Sequence, residues 1–246
     1  MIPLGDDNSG RRNIPFVTWG LIAANLLVFA LLQRWGQNTA FTYAFSTVPQ
    51  EILTGHDIVT SSRYAADPFS GARYQIPGLG QTPIPVYLTL LTSMFMHGGL
   101  AHILGNLLYL LVFGDNIEDR MGPARYLAFY LVTGVLAGLA HVGFSALIGG
   151  NLLVPSLGAS GAVSGVLAAY ALLFPRNRVR VLFFRFITRV PAAVVIGFWF
   201  LFQLINGMGL FGSGSQAGGV AYAAHIGGFI SGLILTPFFI RRKARR

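Results

Sequence analysis

Apolar residues in this chain come in long blocks rather than alternating with polar ones. Six blocks stand out: Phe16–Leu32, Gly98–Phe113, Tyr126–Leu147, Gly158–Phe174, Pro191–Phe211 and Val220–Ile240. Crossing about 30 Å of hydrocarbon takes roughly 20 mostly apolar residues wound as a helix. Each block therefore predicts a spanning helix, with the second and fourth near the short limit. None contains Asp, Glu, Lys or Arg. Pro123, Pro155, Pro175 and Pro191 fall where a span should start or stop. The expected fold is all-α: a polytopic bundle of six transmembrane helices, forming one domain over residues 1–246.

Composition points the same way. Of 246 residues, 54% are hydrophobic and 10% charged, whereas a soluble domain carries about a quarter charged residues. So few charges cannot cover a water-soluble globule, and so much apolar content excludes a disordered chain. The absence of cysteine excludes a disulfide scaffold, a thiol nucleophile and a cysteine metal site. A signal-peptide reading of the first block, with Arg11 and Arg12 as its basic start, fits less well. The apolar run is longer than an ordinary h-region, and Gln33, Arg34 and Trp35 do not resemble a small-residue cleavage site.

The net charge of +9 raises the question of nucleic acid, but its distribution answers it. Alternate connections carry 14 of the 17 basic residues: Arg11 and Arg12; Arg120 and Arg125; Arg176, Arg178, Arg180, Arg185 and Arg189; and Arg241, Arg242, Lys243, Arg245 and Arg246. Arg34, Arg63 and Arg73 share one loop on the other side. By the positive-inside rule both termini are cytoplasmic, residues 1–15 and the basic tail 241–246 included. The basic residues set topology and meet lipid headgroups. The external loop, residues 33–85, is too long for a simple connector, and part of it is expected in the membrane interface.

Polar groups inside a bilayer are costly and often functional. His102 and Asn106 share one face of the second span; taken alone, interhelical hydrogen bonding accounts for them. Ser160 lies in Gly158-Ala159-Ser160-Gly161 at the start of the fourth span. Gly161 and Gly165 make a close-packing face there, and a helix N-terminus could also stabilise an oxyanion. His225 opens the sixth span ahead of Gly228 and Gly232, a second close-packing face that could meet the first. All these side chains lie roughly 3–12 Å below the outer ends of spans that descend in the same direction, at about 1.5 Å per residue. Independent structural hydrogen bonds need not agree in depth; a shared site would. Serine needs a base, which His225 can supply, and Asn106, His102 and the Ser160 N–H can serve as oxyanion donors. With no carboxylate in any span, the inference is a Ser–His dyad. The same absence argues against an aspartyl protease and an ion-coupled transporter. His-Glu-x-x-His, which a zinc protease would need, is missing.

These residues resemble the rhomboid family of intramembrane serine proteases, from about Thr92 to Gly232. His102-Ile103-Leu104-Gly105-Asn106 resembles the family's His-x-x-x-Asn, Gly158–Gly161 its Gly-x-Ser-Gly, and Ala224-His225 with Gly228 and Gly232 its sixth-span pattern. Glu118-Asp119-Arg120 resembles the Glu-x-Arg segment after the second span. The resemblance implies Ser160 as nucleophile, His225 as general base, and His102 and Asn106 in the oxyanion hole. It implies single-pass transmembrane substrates cut in or near the membrane segment, no metal or cofactor, and a bacterial-type inner membrane. Two departures stand out. Pro85-Val86-Tyr87-Leu88 replaces the external-loop Trp-Arg, and Ser164 occupies the position of an aromatic that often supports the histidine, so that His225 should either lean on another group or be held less firmly. His97 and His141 read as structural, His97 being off the face of His102. Gln203 and Asn206 in the fifth span either are wetted by the cavity or only cap helix contacts. A non-catalytic relative that binds membrane clients is the alternative, disfavoured because both dyad residues are present.

Overall fold

The computed structural model describes residues 1–66, 71–207 and 216–241. The fold is mostly helical. Strand β1 (Ile2–Gly5) leads into α1 (Phe16–Leu27), which continues as a π turn through Val28–Leu32. The next connection holds α2 (Thr39–Ala44), α3 (Pro49–Thr54) and a hairpin of β2 (Arg63–Ala66) and β3 (Arg73–Ile76). Then come α4 (Thr89–Thr92), α5 (Leu100–Met121), α6 (Pro123–Leu147) and α7 (Ser160–Leu173). The hairpin of β4 (Arg178–Phe183) and β5 (Phe186–Pro191) precedes α8 (Ala192–Gly207) and α9 (Gln216–Phe239). Three helices, Leu100–Met121, Pro123–Leu147 and Tyr222–Phe239, are long and apolar enough to cross a membrane. Phe16–Leu32, Val86–Phe95, Ser160–Leu173 and Ala192–Ile205 are shorter apolar helices.

Helix α7 sits at the centre. Ala162, Val163, Val166, Leu167, Ala168 and Ala169 are all buried in the main core, against α5, α6 and α9. Small residues allow this. A Cβ on Gly161 would lie 2.6 Å from Ala137 Cβ, and one on Gly232 would lie 2.5 Å from the Gly165 carbonyl oxygen. The close-packing faces expected on the fourth and sixth spans thus meet each other. Outward-facing Leu111, Leu136, Phe198, Leu201, Ile234 and Phe238 are exposed. Such an apolar exterior suits lipid and not water.

The expected helical bundle is supplemented by five short strands among the described residues. The basic connection after α7 alternates: Val179 and Val181 are fully buried, while Arg178 and Arg180 point out. A period of two is a strand signal, and β1 of the N-terminus completes the sheet in the order β1-β4-β5. The second predicted span is corrected, because α5 runs on past Phe113 to Met121. Its extra turns carry Asp115, Asn116 and Glu118, all buried under the N-terminal segment. Arg11 pairs with Asp115 at 2.5 Å. Glu118 accepts from the Val17 N–H (2.9 Å), the Thr18 N–H (2.7 Å) and the Thr18 hydroxyl (2.8 Å). A carboxylate from another helix therefore satisfies the free N–H groups at the start of α1, where Pro15 offers no side-chain cap.

Gly122 makes the α5–α6 turn at φ +82°, and Pro123 opens α6. The Arg241 guanidinium rests against Gly122, and the Arg241 N–H donates to the Arg120 carbonyl at 3.2 Å. The N-terminus, the α5–α6 turn, the β4–β5 hairpin and Arg241 thus gather at one end of the bundle. Lys243 and the remaining tail arginines lie outside the described residues.

Candidate active site

At the opposite end, the long connection positions the start of α7. Thr47 and Ser156 exchange backbone hydrogen bonds at 3.0 and 2.7 Å. The Gly158 N–H donates to the Ser93 carbonyl at 2.8 Å. Part of the loop expected in the interface is therefore a folded brace against the core. Gly158 takes φ +122°, and a Cβ there would lie 2.7 Å from His102 Nε2, so glycine is required where the chain passes the imidazole.

Ser160 is the first residue of α7, with no side-chain cap from Ala159. The leading N–H groups of a helix have no intrahelical acceptor and point toward the site. Ser160 Oγ lies 2.7 Å from His225 Nε2 on α9. The other ring nitrogen, His225 Nδ1, lies 2.7 Å from Gln203 Oε1 on α8. Trp199, one turn before Gln203, lies beside the imidazole, tilted 40° with ring centroids 6.0 Å apart, and Tyr222 makes an edge contact with it at 6.3 Å. This is the support expected in place of an aromatic at position 164. Ser164 itself donates to the Ser160 carbonyl at 2.5 Å and stays within its own helix.

His102 and Asn106 complete the site from α5. Together with Ser160, His225, Tyr109 and Trp199 they line a cavity of about 250 Å³. The Asn106 amide nitrogen is buried and has no hydrogen-bond partner among the described residues. Such an orphaned donor costs free energy unless a ligand or water accepts from it. All four residues singled out from sequence (Ser160, His225, His102 and Asn106) therefore face one cavity.

Other polar positions sort differently. Gln203 is in the site as a direct partner of His225, a role its place in an apolar span only hinted at. Trp199 escaped notice because one aromatic in an apolar helix reads as core; its spacing of four from Gln203 was the available signal. His97 is not clear of His102, as the helical-face argument held. The chain turns at Gly98-Gly99 before α5 begins, so that argument does not apply, and the rings meet at 5.2 Å. The His97 ring is buried. The His97 backbone exchanges hydrogen bonds with the Gln33 amide at 2.8 and 3.0 Å. His141 is fully buried. The Asn206 side chain lies outside the described residues.

An apolar helical bundle enclosing a serine–histidine contact and an unpaired amide defines a membrane protein with a polar site buried among its helices. The Rhomboid domain model matches residues 85–242, and the chain belongs to the rhomboid family. It is similar to rhomboid protease GluP of Bacillus subtilis, with 33% identity over 144 residues, covering 58% of this chain and 24% of that protein. It is also similar to Rhomboid protein 1, mitochondrial, of Saccharomyces cerevisiae, with 29% identity over 147 residues, 60% of this chain and 40% of that protein. A third relative is the presenilin-associated rhomboid-like protein, mitochondrial, of Homo sapiens, with 27% identity over 177 residues, 72% of this chain and 36% of that protein. The chain thus spans less than half the length of these relatives.

Proposed function

We propose that this protein is an intramembrane serine endopeptidase that cleaves single-pass transmembrane proteins in or near their membrane segment. The observation that carries the reading is the 2.7 Å contact between Ser160 Oγ and His225 Nε2, in a cavity shared with the unpaired Asn106 amide. Ser160 attacks the scissile carbonyl while His225 takes its proton. The carbonyl oxygen becomes an oxyanion held by Asn106, His102 and the Ser160 N–H. Collapse breaks the C–N bond, and His225 returns its proton to the leaving amine. Water, deprotonated by the same base, then hydrolyses the acyl-enzyme.

In this reading six spans cross the membrane, both termini face the cytoplasm, and the site opens toward the outer face of a bacterial cell membrane. Gathering of the basic segments at one end supports the topology, and GluP is a bacterial relative. An apolar groove of about 740 Å³ beside the site, lined by Tyr109, Val194, Phe198 and Phe202, is a route for a transmembrane segment. The test is reconstitution in liposomes with labelled single-span substrates, comparing wild type with Ser160→Ala and His225→Ala. Cleavage by wild type alone is expected. Equal cleavage by Ser160→Ala, or none by wild type across varied substrates that it still binds, would leave a client-binding protein instead.

A further inference from the structure

The histidine of a serine hydrolase needs its second ring nitrogen held. A neutral imidazole carries one proton, and if that proton sits on Nε2 the nitrogen facing the serine is a donor and cannot act as a base. An acceptor at Nδ1 selects the useful tautomer and stabilises the imidazolium that follows. The carboxylates of α5 cannot do this here, because Asp115, Glu118 and Asp119 are engaged with Arg11, Thr18 and Asn13 at the other end of the bundle. Gln203 is buried, and its Oε1 is 2.7 Å from His225 Nδ1. An amide oxygen can only accept, so Nδ1 holds the proton and the Nε2 lone pair faces Ser160.

We propose that Gln203 is a positioning residue, an uncharged third member that fixes the tautomer of His225 and so makes it a base toward Ser160. The proposal rests on the proteolytic reading above and deepens it. A neutral acceptor suits the site, because a carboxylate there would be an ion buried among apolar helices. Trp199, on the same face of α8 one turn earlier, packs beside the ring, tilted 40° to it, while Gln203 holds its tautomer. Both groups ride on α8, whose outer residues Val194, Phe198 and Leu201 are exposed. The base is therefore oriented only while α8 is seated, and displacement of α8 removes both groups from His225 together.

The test uses the full chain in lipid nanodiscs with Gln203→Leu, Gln203→Glu and wild type. Leucine suits an apolar helix, so folding should survive. Gln203→Leu should lower kcat roughly 100- to 1000-fold, within the range for losing an oriented base, with KM changed less than about twofold. Glutamate keeps an acceptor at Nδ1 but buries a carboxylate among apolar helices, so kcat should recover to at least about tenfold above Gln203→Leu while stability to heat falls. Imidazole nitrogen NMR of histidine-labelled protein, with His225→Ala assigning the resonance, should show a protonated Nδ1 in wild type and a shift toward protonated Nε2 in Gln203→Leu. Wild-type kcat in Gln203→Leu, a protonated Nε2 in wild type, or an unchanged tautomer in Gln203→Leu would overturn the proposal. If wild type cleaves nothing, the proteolytic reading fails, and the tautomer comparison still decides whether Gln203 orients His225.

Discussion

The two residues of the dyad sit on different helices, so their contact depends on how closely α7 and α9 approach, and Gly228→Ala tests this directly. A Cβ on Gly228 would fall onto the Gly161 carbonyl, with its carbon at 2.9 Å and its oxygen closer still, whereas ordinary contact starts near 3.4 Å. Neither group is a flexible side-chain end, so the helices must part by about 1 Å, and overpacking of this kind costs about 1–3 kcal/mol. Gly228 is one turn past His225, and Gly161 adjoins Ser160. The movement therefore passes to the 2.7 Å contact and stretches it beyond hydrogen-bond length. Misplacement of a reacting group by about 1 Å can cost roughly 100-fold in rate. The assay is cleavage per folded molecule, with folding quantified by thermal unfolding in detergent. Gly232→Ala is the control: its Cβ would meet the Gly165 carbonyl oxygen at 2.5 Å, two turns from His225. It should lose similar stability and much less activity. Wild-type activity in folded Gly228→Ala, or an equal loss in Gly232→Ala, would refute the reasoning.

Asn106→Ala should reduce kcat roughly 10- to 1000-fold, as expected for one oxyanion donor, with KM nearly unchanged in the liposome assay. Glu118→Ala should destabilise the protein by about 2–4 kcal/mol, because it strips three hydrogen bonds from the start of α1; Glu118→Gln should retain part of this in thermal unfolding. The third concerns pH. Burial raises the Asp6 carboxyl above its ordinary value, against hydrogen bonds from Tyr170 and Asn116 that lower it. A carboxyl raised on folding makes its ionised form a cost to the docked N-terminus. That cost is full above the raised value and absent below the unfolded one. Docking of β1 should therefore tighten as pH falls through this window, seen as stronger amide-exchange protection over residues 2–5 after correction for intrinsic rates; Asp6→Asn should weaken the dependence, with Asp115, a second buried carboxyl under the N-terminal segment, left in place.

Burial in lipid leaves the backbone few options, since unpaired N–H and C=O groups are too costly there. The apolar blocks were therefore legible as helices, and α6, α7 and α9 begin and end close to their expected limits. That Ser160, His225, His102 and Asn106 share one site was suggested by residue counts, and the structure brings them to one cavity although α5 and α9 start at Leu100 and Gln216, not at Gly98 and Val220 as expected. Close packing of Gly161 and Gly165 on Gly228 and Gly232 was visible as spacing. Where charge entered, the reading weakened. The α5 extension could not be foreseen, because Asp115 and Glu118 become tolerable only when Arg11, Val17 and Thr18 fold back onto them. The β1-β4-β5 sheet pairs segments some 175 residues apart, a choice that local pattern does not encode. The spacing of Trp199 and Gln203 puts them on one face of α8, but nothing in that segment says which helix the face would meet. The sequence by itself determined which segments are apolar helices and how far along the chain each polar residue lies within them, both properties of a single helix. The tertiary structure alone decided which faces meet, and with them the partner at each end of the imidazole, because a hydrogen bond depends on distances between helices that no one helix contains.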